Sequence, residues 1–185
     1  MAKTRPWLVF LLLVGALLSC ARSTTPISEW AEFEGQGVTL WLPHNYGEMT
    51  PRDNAATDSD PKPAQTIIFE ASESYLLYDD AALAAYVFAA RGSIPLFKSL
   101  KAYAEDRFAT LPQGSQLVEQ GEIDLGGRTA WRIIIEQSEL ATTTAIYLVR
   151  RGVAVYSIAY AGSTGVFEEL LADSEQSMCT FRVTS

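Results

Sequence analysis

The sequence predicts an α+β fold, an antiparallel β-sheet sandwiched between helices, and three observations carry that prediction. Two hairpins are legible in its second half. Val118 to Leu125 turns at Gly126-Gly127 into Arg128 to Glu136, and Thr143 to Arg150 turns at Arg151-Gly152 into Val153 to Tyr160. The strands Ala145-Ile146-Tyr147-Leu148-Val149 and Val153 to Ile158 lack charge on both alternating faces. A sheet with one solvated face alternates apolar with polar, so these strands are expected to be covered on both sides. Two segments with helical spacing of apolar residues supply the covers.

Taken in order, the first element is the run Trp7 to Leu18, 12 apolar residues behind Lys3 and Arg5. Twelve helical residues span roughly 18 Å against about 30 Å of hydrocarbon, so the run reads as a cleaved signal and not as a membrane span. It ends in Leu17-Leu18-Ser19-Cys20, the pattern of a bacterial lipobox. The expectation is therefore a signal peptide over residues 1–19 and a mature chain that begins at Cys20 with lipid on its sulfur. A diacylglyceryl group supplies the two acyl chains that stable anchoring needs. Residues 20–28 form a short polar tether, and residues 29–185 one domain, of a size that supports a sizeable core.

The domain opens with Trp30 to Phe33, a Gly35-Gln36-Gly37 turn and the strand Val38 to Leu42, which Pro43 ends. Pro43 to Gln65 has no periodicity and reads as a long loop, with prolines at 43, 51, 61 and 63. Thr66 to Glu70 and Tyr75 to Tyr78 read as strands. Ala85-Tyr86-Val87-Phe88 also reads as a strand, although the surrounding alanines suit a helix. Phe97 to Leu111 reads as an amphipathic helix, with Phe97, Leu100, Ala104, Phe108 and Leu111 on one face and Pro112 and Gly114 as its stop. On the strand from Arg128 to Glu136, Thr129, Trp131, Ile133 and Ile135 share one face. A final helix is expected from Thr164 as N-cap, with Glu168 and Glu169 in its first turn and Val166, Phe167, Leu170, Leu171 and Met178 inward. A short strand near Phe181 to Val183 closes the chain.

Composition narrows function. The whole sequence has a formal charge of -8. Removing residues 1–19 leaves 12 basic and 22 acidic residues, a charge of -10. Such a surface repels phosphates, which argues against nucleic acid as a partner, and anionic headgroups are poor targets as well. Cys20 and Cys179 are the two cysteines. With Cys20 acylated, Cys179 is left without an intramolecular partner and reads as an inert core thiol, with neither a disulfide scaffold nor a cysteine metal site.

No catalytic constellation is expected. His44 is the single histidine, no Gly-x-Ser-x-Gly elbow occurs, and Gly126-Gly127 lies between strands with no following helix to cradle an anion. Asp53, Asp58 and Asp60 cluster, but Asp58-Ser59-Asp60-Pro61 lacks the turn glycine and terminal glutamate of a calcium loop. No metal or other cofactor is expected. The candidate partner-binding loop comprises His44, Tyr46, Glu48, Asp53, Asp58 and Asp60, with Tyr46 as its exposed aromatic. Trp41, Trp131, Tyr147 and Tyr156 lie on strands expected to be covered and read as core.

Three stretches carry a family resemblance. Gly37-Val38-Thr39-Leu40-Trp41-Leu42-Pro43, the hairpin Leu125-Gly126-Gly127-Arg128-Thr129-Ala130-Trp131, and the closing Phe167-Glu168-Glu169 helix with Ser177-Met178-Cys179-Thr180-Phe181-Arg182 resemble the PsbP-like family in order and spacing. The resemblance runs from Glu32 to Val183. It implies a PsbP-like α/β/α sandwich and a role in binding or assembly rather than catalysis. The resulting expectation is a membrane-anchored, non-catalytic lipoprotein of the bacterial cell envelope that docks on another envelope protein. The alternative is an extracytoplasmic lipoprotein carrying a small ligand or metal.

Overall fold

Glycines at positive φ set the two central hairpins. The computed structural model describes residues 29–49, 66–73 and 85–184. Gly126 and Gly127 (φ 66° and 83°) turn β6 (Ser115–Asp124) into β7 (Thr129–Gln137), and Gly152 (φ 63°) turns β8 (Thr142–Arg151) into β9 (Ala154–Ser163). An L side chain rarely adopts that backbone, so the turns fix where each strand reverses. Ile133 pairs Ile146 and Tyr147 pairs Ile158, and so the register stacks the apolar positions.

These strands are part of a seven-stranded antiparallel sheet of order β3-β4-β5-β9-β8-β7-β6, in which β3 is Tyr46–Met49, β4 Thr66–Glu73 and β5 Tyr86–Ser93. The stretch beginning at Ala85 is thus a strand, as its β-branched and aromatic residues predict. The expected strand at Tyr75 to Tyr78 lies outside the described residues. A second sheet, β1-β2-β10, is formed by Trp30–Gly35, Val38–Pro43 and Arg182–Val183. The architecture is α+β, with two antiparallel sheets and two helices in place of the one sheet expected.

Residues alternate between two packing clusters along each central strand. Tyr147, Val149, Tyr156 and Tyr160 join Leu40 and Leu42 of β2 and Leu170 and Met178 of α2 (Phe167–Thr180). Ile133, Ile135, Leu148 and Val155 join Tyr103 and Ala104 of α1 (Leu100–Arg107). The uncharged faces of β8 and β9 are both buried, as their composition requires. Of the aromatics expected in the core, Tyr147 and Tyr156 are buried, while Trp41 and Trp131 are only partly so.

Two helix starts differ from expectation. α1 begins at Leu100, because the Ser99 hydroxyl accepts from the Ala102 amide at 3.1 Å and caps it. Phe97 therefore precedes the helix and stands in solvent. Thr164 opens a short 3₁₀ turn, and its hydroxyl bonds Thr143 Oγ1 at 3.0 Å instead of capping α2, which starts three residues later.

Candidate functional site

The candidate loop divides on folding. His44 is exposed in the turn between β2 and β3, and its backbone amide donates to the Glu29 carbonyl at 3.1 Å. Among the described residues no side chain bonds its imidazole. Tyr46 is a correction. It starts β3, which pairs with β4 through Tyr46↔Glu73, and its side chain is buried next to Tyr160 and not offered to a partner. Part of the expected loop, residues 46–49, is therefore sheet. Glu48 lies on that strand, while Asp53, Asp58 and Asp60 lie outside the described residues. Of the candidate residues, His44 is exposed, Tyr46 is buried and Glu48 is on β3. Among the described residues no three His, Cys, Asp or Glu side chains gather to hold a metal ion.

The densest polar group is the seam under α2. Tyr147 Oη and Ser174 Oγ are 2.7 Å apart, and Ser174 donates onward to the Leu171 carbonyl at 2.8 Å. Tyr160 donates to Ser177 Oγ at 2.8 Å, and Ser177 in turn donates to the Trp41 carbonyl at 2.6 Å. Thr180 Oγ1 accepts from the Trp41 amide at 2.9 Å. The two phenol rings meet edge to face, 5.8 Å between centroids. Burial pushes the Tyr147 phenol up to about 12, and Tyr160 upward as well. Both phenols stay neutral and serve as hydrogen-bond donors and acceptors. The seam ties helix, large sheet and small sheet together, and it presents no nucleophile or base to solvent.

Arginines do work that the sequence did not announce. Arg128, in the Gly126-Gly127 turn, donates to the Phe181 carbonyl and, at 3.2 Å, to the Cys179 carbonyl, while its guanidinium lies 5.8 Å from the Phe181 ring centroid. It thus satisfies carbonyls at the end of α2 that helix geometry leaves unpaired. Arg132 bridges Glu119 (2.5 Å) and Glu175, joining β6 and α2 across β7. Both positions read as ordinary hairpin residues in the sequence, and Cys179 and Glu175 lie 51 and 43 residues away along the chain.

Cys179 also departs from expectation. It is disulfide-bonded and not a free core thiol. Its Sγ lies 3.1 Å from the Glu175 carbonyl oxygen. The chain's other cysteine is Cys20, outside the described residues. One sulfur cannot carry both a thioether to lipid and a disulfide, so these are competing chemical states of the chain.

Among the described residues no helix is long and apolar enough to cross a membrane. No family profile matches the sequence, and neither does any curated protein. Solved structures do match. The solution structure of cyanobacterial PsbP from Synechocystis superposes with a TM-score of 0.55 at 10% identity, over 90% of this chain and 98% of that one. LpqN, involved in cell envelope biogenesis of Mycobacterium tuberculosis, gives 0.48 at 16% identity, over 85% and 93%. A protein of unknown function from Pseudomonas aeruginosa gives 0.48 at 14%, over 83% and 96%. The first of these overlaps establishes the architecture: the chain has the PsbP fold.

Proposed function

We propose that this chain with the PsbP fold is a non-catalytic bacterial lipoprotein of the PsbP-like family, held at a membrane of the cell envelope through Cys20. In this reading it acts as a binding or assembly module for another envelope protein. Residues 1–19 are removed, 20–28 tether the body, and 29–185 form one domain whose large sheet lies between α1 on one side and α2 with the small sheet on the other. The observation that carries the reading is the lipobox Leu17-Leu18-Ser19-Cys20 behind a 12-residue apolar run. The fold is shared with a PsbP structure, though fold alone does not assign function. His44 and the acidic stretch holding Glu48, Asp53, Asp58 and Asp60 are the proposed partner contacts. Deleting residues 50–62 should change the set of proteins that co-purify.

The oxidised Cys179 favours a second reading, an exported chain without lipid whose two cysteines pair. Intact mass of the mature protein separates the two. A diacylglyceryl adduct on Cys20, lost with membrane fractionation in Cys20→Ala, supports the anchor. A mass two hydrogen atoms below the reduced chain, with no lipid on Cys20, overturns it.

A further inference from the structure

Five of the exposed apolar side chains lie at the two opposite ends of the long strands, while Tyr86, Leu117 and Val118 are exposed on strands β5 and β6. At one end Leu96 and Phe97 are 71% and 93% exposed and Val153 is 55% exposed. They are held there by design of the backbone. Arg150 donates to the carbonyls of Leu96 (2.8 Å), Lys98 (2.5 Å) and Gly152 (2.9 Å), and the Ile94 amide donates to the Val153 carbonyl at 2.8 Å. This end is also basic. Arg128, Arg151 and Arg182 donate to backbone carbonyls and form no ion pair among the described residues, Lys98 and Lys101 pair Asp106 and Glu105, and the exposed Asp124 and Glu34 also lie at this end.

The other end lies roughly 33 Å away along ten-residue strands. There Leu140 is 63% and Val166 43% exposed. Their turns are joined, since the Thr164 amide donates to the Ala141 carbonyl at 2.8 Å. Exposed Glu139, Glu168 and Glu169 surround them, and residues 136–143 and 161–173 contain no lysine or arginine.

We propose that the two ends are the two halves of a head-to-tail contact between copies of this chain. Leu96, Phe97 and Val153 of one copy seat against Leu140 and Val166 of the next, and the basic rim faces Glu139 and Glu168. Each end supplies an apolar group with an excess of one sign of charge, so unlike ends attract while like ends repel. That asymmetry selects a heterologous contact, which propagates as a row or closes as a ring. An anionic membrane fits the basic end less well, because Trp30, at the start of β1, lies at the acidic end. The register shows it: Trp30 pairs Pro43, whereas the β1–β2 turn lies beside β10 and Arg151. The contact does not depend on lipid at Cys20.

A photoreactive benzophenone replacing Phe97 in the full chain, irradiated in intact cells, tests this. The expected product is a two-chain adduct whose cross-linked peptide contains Leu140 or Val166. It should fall roughly tenfold, about what loss of 1.4 kcal/mol produces, in chains carrying Lys101→Glu with Arg151→Glu, or Glu139→Lys with Glu168→Lys. Co-expressing the two variants, with the benzophenone on the second, should restore a one-to-one adduct and nothing longer, which also shows that both fold. An adduct to lipid, to a different protein or to other residues of this chain overturns the proposal. So does no adduct.

Discussion

A phenol held mostly out of water titrates late, and Tyr147 shows what that does to stability. Its hydroxyl is held at about 12 mainly by burial, against about 10 in an unfolded chain. The folded state keeps a proton that the unfolded state releases. The associated stability is complete below pH 10 and is lost as pH rises through 12, on the order of 2–3 kcal/mol for a shift of that size. Tyr160 moves in the same direction. Tyr147→Phe should cost about 1 kcal/mol near neutral pH by removing the bond to Ser174, and it should shrink the loss between pH 10 and 12. Urea unfolding at both ends of that range checks the sign. That Tyr147 is core was legible in its uncharged strand. Tyr46 was not, because its burial depends on β3 pairing with residues 70–73 across an aperiodic stretch that carries no local sheet signal.

At the scale of elements, helix ends were harder to read than strands. The glycine turns punctuate both hairpins locally, so their strands could be placed from neighbouring residues alone. The start of α1 depends on Ser99 capping it and on Arg150, more than 50 residues away, gripping the loop before it. A helical face drawn through Phe97 follows periodicity and misses both. The end of α2 depends in the same way on Arg128 from the β6–β7 turn. Arg128→Ala should cost about 1–3 kcal/mol, since charge-assisted bonds to helix carbonyls are lost and the carbonyls are left facing a partly buried site. A fall in melting temperature of roughly 2–4 °C per kcal/mol is expected for a domain of this length. Arg128→Lys should recover part of it, because a single ammonium replaces a guanidinium fork.

For the whole molecule, the α+β class followed from hairpins and two-sided apolar strands, and the PsbP resemblance from three short stretches in the right order. The second sheet was not foreseeable: β10 is two residues long and finds β2 about 140 positions earlier. Its seat is tight. A Cβ at Gly35 would come 2.7 Å from the Ile68 carbonyl oxygen on β4, a backbone atom that cannot swing aside. Gly35→Ala should therefore destabilise by about 1–3 kcal/mol, as overpacking does, and calorimetry reads it directly. The oxidised state of Cys179 was equally hidden, since it depends on what becomes of a sulfur at the far end of the chain.

The outer strand β6 has a consequence of its own. Among the described residues nothing pairs its outer edge, and ten residues of such an edge are a template onto which a neighbouring chain could crystallise as fibre. Here the ladder slips between Leu117 and Glu119, and Glu119, Gly121 and Glu122 follow at once. The kink and the carboxylates spoil that template. Crowding many copies together should thus leave the protein free of amyloid.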